Sequence, residues 1–357
     1  VGAALSPLNV ASLSARMKVD RLLKLARGKK QVVILPHDNP DPDSIASAVA
    51  LGMIFEKRAG MEAKVAYGGI IGRAENLAFV KVLKLPVVPV SQIVFSEFEL
   101  VCLVDTQQPI GNHSLPPGVR ADVVIDHHPL REERLTASFG DVGSGYGATS
   151  TLLVEYLRAA RLEPGPELAT ALYYGIKADT RDLDRQTHDP DIDSYLWLFP
   201  KIDRTLLSQI EHPELPARYF QLYHQAIEQA KVYSDAVVTD LGEIYSADMV
   251  AEVAERLSFL EGPRWSLAFG SFRSQLYLSL RCSDRRMRAG RLIRETLVGL
   301  GGSAGGHGSM AGARIPLSGK KKDREELKRE IVRRFQKAFG VEGERGTALL
   351  NLGQQES

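Results

Sequence analysis

Cysteine is almost absent. The 357 residues hold two, Cys102 and Cys282, 180 positions apart. So sparse a pair excludes a disulfide framework and a cysteine-based zinc site, and it points to a reducing compartment. Long apolar runs are missing too, since no stretch approaches the roughly 18 residues of a membrane-crossing helix. In the first 30 residues, Arg16, Lys18, Asp20 and Arg21 break up the apolar patches that a signal peptide would sustain. A cytoplasmic protein with no membrane partner is expected. Net charge is nearly nil, with 45 Lys+Arg against 44 Asp+Glu, which predicts no global attraction to nucleic acid. There is no internal repeat and no low-complexity segment.

The balanced charge conceals a division. From Arg264 to Gly340 there are 18 basic and 6 acidic residues, a net of +12, and the remainder carries a net of −11. Acidic residues gathered in one place can hold cations, and basic ones a polyanion. The length suits about two domains, each with its own core.

The first half alternates strand-like and helix-like stretches. The runs 32–36, 100–104 and 123–125 are apolar without alternation, as in parallel strands buried on both faces. Ser44 is expected to cap a helix reaching about Arg58, and 148–160 and 166–177 read as helices. The fold class is α/β with a parallel sheet over 1–188. A helical connector follows over 189–234, then a smaller α/β domain over 235–345 and a frayed tail over 346–357. In the smaller domain, strands are expected at 235–240, 265–272 and 275–281 and helices near 248–259 and 288–299. The stretch 299–312 is glycine-rich, and a helix at about 321–339 has Leu327, Ile331, Val332, Phe335 and Phe339 near helical spacing.

Chemistry-bearing residues follow the apolar runs. His37, Asp41 and Asp43 come after the first, Asp105 ends the second, and Asp126-His127-His128-Pro129 ends the third. Asp179-Thr180 follows a helix. In an open parallel sheet, ligands bind beyond the carboxyl ends of the strands, so these groups are expected to converge. That many carboxylates in one place need neutralising cations. Carboxylates with imidazoles and no thiolate suit Mn²⁺, Fe²⁺ or Mg²⁺, and two such ions form the usual clamp for phosphate ester hydrolysis.

These residues resemble the DHH phosphoesterases, a family named for the triplet found here as Asp126-His127-His128. The resemblance covers all four groups in order, together with Gly147-Ala148-Thr149-Ser150. It extends to Ser279-Leu280-Arg281-Cys282-Ser283 and to Gly305-Gly306-His307-Gly308-Ser309-Met310-Ala311-Gly312. The latter is similar to the GGGH signature of the DHH-associated domain, with Ala304 and Met310 as departures.

The resemblance implies roles. His37, Asp41 and Asp105 would hold one Mn²⁺ (or Mg²⁺ or Fe²⁺), and Asp43, Asp105, His127 and Asp179 the other. Asp126 would orient a ligand histidine, and His128 would face the scissile phosphate. Arg281, Gly305, Gly306, His307 and Gly312 would bind substrate in a cleft between the domains. The implied substrates are short oligonucleotides, linear dinucleotides or adenosine 3′,5′-bisphosphate. A pyrophosphatase or exopolyphosphatase, a RecJ-type exonuclease and a non-catalytic nucleotide-binding regulator are the alternatives, and a homodimer is left open. Asp38 lies off the family pattern and is expected to be a solvated loop residue. Asn112, His113 and Arg181 are unassigned.

Overall fold

A computed structural model describes residues 13–130, 136–284 and 286–352, apart from the side chains of Pro109 and His307. The chain divides into two compact units, Val1–Pro213 and Glu214–Ser357.

In the first unit, α1 (Ala15–Ala26) leads into β1 (Gln31–Leu35), α2 (Pro42–Ala59), β2 (Glu62–Tyr67), α3 (Ala74–Val82) and β3 (Val87–Pro89). Then come β4 (Leu100–Val104), β5 (Val123–Asp126), β6 (Phe139–Val142), α4 (Thr149–Ala159), α5 (Pro166–Thr180), α6 (Asp189–Leu198) and α7 (Arg204–Glu211). The six strands form a parallel sheet in the order β3-β2-β1-β4-β5-β6. The expected apolar runs are its central strands. Alternate residues feed opposite faces, as the pleat requires. Val32, Ile34, Leu100, Cys102 and Val104 join one core with the helices. Val33, Leu35, Val101 and Leu103 join a second, covered by Leu115, Ala121 and the segment around Ile93 and Phe95.

This strand order reverses direction between β1 and β4. Chains leaving the carboxyl ends of these two neighbours therefore diverge and open a crevice, the topological switch point of such sheets. The His37 loop leaves one of these strands and Asp105 ends the other.

The start of α2 differs from expectation. Asp41 is the cap, its carboxylate accepting from Ser44 N at 2.9 Å, with Pro42 in the first helical position. Proline fits there because its fixed φ suits a helix and no N–H is missed. Asp179 lies within the last turn of α5 instead of following it.

The second unit comprises α8 (Ala217–Gln229), β7 (Lys231–Val232), β8 (Ala236–Glu243), α9 (Asp248–Leu257), β9 (Trp265–Phe272), β10 (Gln275–Cys282), α10 (Ala289–Thr296), β11 (Ser303–His307), β12 (Met310–Pro316), α11 (Lys321–Phe339) and β13 (Thr347–Ala348). Its mixed sheet runs β11-β12-β10-β9-β8-β7-β13. Ile293, Ile331, Phe335 and Phe339 pack with Leu267 and Phe269 in one core. Leu222, Val250, Val253 and Ala268 form another.

The segment 189–234 is divided between the units: Leu198 and Ile210 belong to the first core and Leu222 and Ala226 to the second unit. The glycine-rich stretch is a β-hairpin, with Gly305 opposite Gly312 and Gly306 opposite Ala311. Part of the expected tail is also ordered, because Thr347 and Ala348 pair with Val232 and Lys231. Residues 353–357 lie outside the described residues.

Candidate metal centre

The six expected ligands of the first unit converge. His37 Nε2 stands 3.6 Å from Asp41 Oδ2 and 3.6 Å from Asp105 Oδ2. His127 Nε2 stands 3.6 Å from Asp105 Oδ1 and 3.1 Å from Asp179 Oδ2. Asp43 completes the second group with His127 and Asp179. Asp105 thus turns one oxygen toward each histidine. It is buried, its backbone is left-handed at φ 58° and its N–H donates to Ile125 O at 2.8 Å. A non-glycine residue in this conformation costs about 1–3 kcal/mol, and here it aims a carboxylate between the two groups.

Each group is held from behind. Asp43 accepts from Thr149 N at 2.8 Å and Ser150 N at 2.7 Å, the unsatisfied donors of the first turn of α4. Thr149 Oγ1 donates to Asp105 Oδ1 at 2.8 Å. The Gly147–Ser150 motif is therefore the backing for two carboxylates. The Nδ1 atoms of His37 and His127 lie 3.0 Å from Asp38 O and 3.2 Å from Tyr146 O. A ring whose Nδ1–H is given to a carbonyl presents a lone pair at Nε2, the arrangement usual for ligating histidines.

Do these residues fit divalent cations? Three observations say that they do. His127 Nε2 is buried among carboxylates, Asp179 Oδ2 at 3.1 Å, with no well-aligned hydrogen bond to any of them. Most donor separations are 3.6 Å, too long for hydrogen bonds. Ligands bonded at about 2.1 Å and roughly 90–110° apart sit about 3.0–3.5 Å from one another. The third observation is electrostatic. Burial works against a charged imidazole at His37 and His127, yet the facing carboxylates raise them to about 10 and about 11. Burial and the neighbouring Asp179 push Asp43 up to about 7, and burial and Asp43 push Asp105 well above its ordinary range. The cluster calls for positive charge. Its hard oxygen and imidazole donors suit Mn²⁺, Fe²⁺ or Mg²⁺.

His128 is placed differently. Its Nδ1 lies 3.6 Å from Asp105 Oδ1 but 2.8 Å from Asp126 Oδ1, which also accepts from His128 N at 3.1 Å. Burial would raise Asp126, but the bond from His128 outweighs it and holds the carboxyl below its ordinary value. Asp126 therefore orients His128 and not His127, the histidine expected to be a ligand, although His128 with Asp105 and His127 forms a third group close enough to hold an ion. The ligand histidine is instead oriented by a backbone carbonyl, which no side-chain pattern reveals.

Other residues escaped the sequence analysis. Asp191, fully buried at the start of α6, accepts from Gly147 N at 2.8 Å, His188 N at 2.8 Å and Thr151 Oγ1 at 2.6 Å. The Tyr146–Gly147 peptide thus gives its N–H to Asp191 and its carbonyl to His127. Gln107, also buried, donates from Nε2 to Asp126 Oδ2 at 2.7 Å and to Pro129 O at 3.1 Å. Asp38 is not simply solvated, since it accepts from Ser114 Oγ at 2.8 Å. His113 uses both ring nitrogens within its own loop, on Gln108 O and Leu115 N. Asn112 accepts from Thr106 Oγ1 at 2.5 Å. Arg181 is the left-handed cap of α5.

In the second unit, Arg281 pairs across the sheet with Met310, and Met310 with His307. Ser279, Gly312 and Gly305 form the next row but one on those strands. Arg281 Nη1 donates to Ser279 Oγ at 2.7 Å. The two glycines of β11 differ in kind. At Gly306, φ is 155° and an added Cβ would lie 2.3 Å from Met310 O, so the hairpin itself demands glycine. At Gly305 an added Cβ would meet nothing within 4 Å. Neither crowding nor a positive φ accounts for that glycine. The His307 side chain lies outside what the structure describes.

Comparison with known proteins agrees with this architecture. Residues 31–176 match the DHH family, N-terminal domain, and residues 233–338 the DHHA1 domain. An uncharacterized protein of Methanocaldococcus jannaschii, MJ1633, is 34% identical over 319 residues, covering 88% of this chain and 64% of that protein. The cyclic-di-AMP phosphodiesterase PdeA of Listeria monocytogenes is 24% identical over 270 residues, covering 70% of this chain and 40% of that one. The chain thus spans less than two thirds of the length of either relative. An exopolyphosphatase-related protein from Bacteroides fragilis shares the fold at a TM-score of 0.69 and 17% identity, over 92% of this chain and 97% of that one.

Proposed function

Because the chain belongs to the DHH family, with a DHHA1 domain after the DHH domain, we propose that it is a two-metal phosphoesterase acting on short nucleotide substrates. Short oligonucleotides, linear dinucleotides or adenosine 3′,5′-bisphosphate are the class meant, and Mn²⁺ is the preferred ion. The observation that carries this is Asp105, whose two oxygens serve two separate histidine–carboxylate groups at 3.6 Å each. A single carboxylate shared in this way suits a pair of ions.

His37, Asp41 and Asp105 would hold one ion, and Asp43, Asp105, His127 and Asp179 the other. Such a pair, when bound, supplies Lewis-acid stabilisation of charge on phosphoryl oxygens and makes water acidic enough to ionise near neutral pH. The protein's own part falls to His128. With Nδ1 committed to Asp126, its Nε2 is the nitrogen that donates to a non-bridging phosphate oxygen or protonates the leaving oxygen. Asp126 fixes the ring and steadies the imidazolium. In the second unit, Arg281 would grip a phosphate of the substrate, and the bare strand at Gly305 and Gly312 would let it approach the backbone. The activity named for PdeA supports a phosphodiester substrate. The DHHA1 match weighs against the pyrophosphatase reading, although the name of the Bacteroides protein keeps polyphosphate worth testing.

The test is hydrolysis of bis-p-nitrophenyl phosphate with Mn²⁺, with and without chelator, followed by product profiling on dinucleotides, short RNA, short DNA, the bisphosphate and polyphosphate. Chelator-sensitive cleavage of the diester and of a short nucleotide supports the proposal. Cleavage of polyphosphate alone, or no metal-dependent cleavage, overturns it.

A further inference from the structure

The Gln107 amide is buried, and Gln107 belongs to none of the candidate ligand groups. One end of it lies 2.7 Å from Asp126 Oδ2 and 3.1 Å from Pro129 O, both of which can only accept. That chemistry settles which end of the amide faces them: it must be the NH₂. One side chain from the loop after Asp105 therefore grips both flanks of His128. It holds the carboxylate of the residue two before it and the carbonyl of the residue after it. The other Asp126 oxygen is left to accept from His128 Nδ1 at 2.8 Å and His128 N at 3.1 Å.

Asp126 is fully buried, and among the described residues the basic side chain beside it is His128. A carboxylate held at one oxygen can rotate about its Cβ–Cγ bond. Held at both oxygens, it presents a fixed acceptor. The consequence passes to the imidazole, because the group accepting from Nδ1 sets both the ring plane and the tautomer.

We propose that Gln107 is a positioning residue for the reaction. Through Asp126 it holds the His128 ring in one orientation, with Nδ1–H given to the carboxylate and Nε2 turned to the phosphate. The inference rests on the phosphoesterase reading for its kinetic consequence but not for its structural one. It assigns a task to a residue outside the metal ligands and outside the family triplet. Gln107 is in no candidate ligand group, so the metals should stay in place when it is changed.

The decisive variant is Gln107→Met, which keeps most of the volume and removes the donor. Supporting groups of this kind are worth roughly 10–100-fold. Turnover should fall by about that factor, with KM within about threefold of wild type and the same divalent ions bound per chain. His128→Ala alone should cost about 10²–10³. If Gln107 works through His128, the double variant should be no slower than His128→Ala, because the lost contact no longer matters. A merely structural role would give losses that multiply.

A second readout needs no activity. Side-chain ¹⁵N–¹H correlation spectra should show a hydrogen-bonded Nδ1–H at His128 in wild type, weakened or lost in Gln107→Met. If Gln107→Met does not fold, Gln107→Asn carries the same tests, since its shorter amide cannot reach both acceptors. Unchanged turnover, multiplying losses, loss of an ion, or an unaltered His128 Nδ1–H would each overturn the inference. If wild type shows no metal-dependent hydrolysis, the functional proposal fails, and the spectrum alone then decides the role of Gln107.

Discussion

Asp191 offers a graded test of how the ligand histidine is held. It accepts three hydrogen bonds, two of them from donors buried inside the unit, Gly147 N and Thr151 Oγ1. The third, from His188 N, is only partly buried, so water can replace it. Asp191→Ala orphans the two buried donors at about 1–3 kcal/mol each, a loss of roughly 3–5 kcal/mol. Asp191→Asn keeps one oxygen for the backbone donors, and the Thr151 hydroxyl can turn to accept from the new amide. Its cost should stay near 1 kcal/mol. Beyond stability, the Tyr146–Gly147 peptide loses its anchor, and with it the carbonyl that orients His127. Affinity at the His127 ion should fall about 10–100-fold in the Ala variant. The His37 ion should bind nearly as before, because His37 leans on Asp38 O instead. Urea unfolding of the metal-free protein measures the first effect, and metal titration the second. An Asp191→Ala protein within about 1 kcal/mol of wild type and with both affinities unchanged would refute the reasoning.

Metal binding should strengthen as pH rises, because ligation needs neutral imidazole and ionised carboxylate. In the metal-free protein the carboxylates, working against burial, hold His37 and His127 up to about 10 and about 11, and burial with Asp179 holds Asp43 near 7. Binding at pH 7 therefore releases at least two protons, countable by calorimetry in buffers of different ionisation enthalpy; a count below one contradicts this. The buried pair of Lys18 with Asp141, 2.9 Å apart and joined by Tyr156, should make Lys18→Met cost about 3–5 kcal/mol in urea unfolding, since it strands a buried carboxylate. A loss under 1 kcal/mol would show that the pair contributes nothing. Gly305→Leu enters open space, so the fold should hold while dinucleotide cleavage falls and cleavage of a small chromogenic diester persists. Arg281→Ala should do the same, and equal loss of both activities would place these residues in the catalytic centre.

The metal cluster was legible because its residues come in short strings at strand ends, where an apolar run stops and a polar loop begins. Periodicity found β1, β4 and β5 for the same reason. It did not single out β2, β3 and β6: Glu62–Tyr67 mixes charge with apolar residues, Val87–Pro89 is three residues long, and Phe139–Val142 contains the buried Asp141. Lys18 entered the sequence analysis only as a charge breaking an apolar patch, and only a partner 123 positions away makes its burial tolerable. Asp191 lies in the first turn of α6, where an acid is ordinary, and its grip on Gly147 depends on how α6 packs. The orientation of His127 by Tyr146 O could not be read at all, because a carbonyl carries no residue type. Glycines 305 and 306 look alike in the string, and only the backbone shows that one is demanded by the hairpin and the other is not.

The central claim is that Asp105 serves two ions at once, and counting ions tests it directly. Wild-type protein titrated with Mn²⁺ under chelator-buffered conditions should bind two ions per chain. Asp105→Asn keeps the shape and the oxygen that accepts from Thr149 but loses the shared charge. It should bind at most one ion with comparable affinity, and its metal-dependent hydrolysis should fall by several orders of magnitude. Two ions bound as tightly as in wild type, with near-normal turnover in a folded Asp105→Asn protein, would contradict the account.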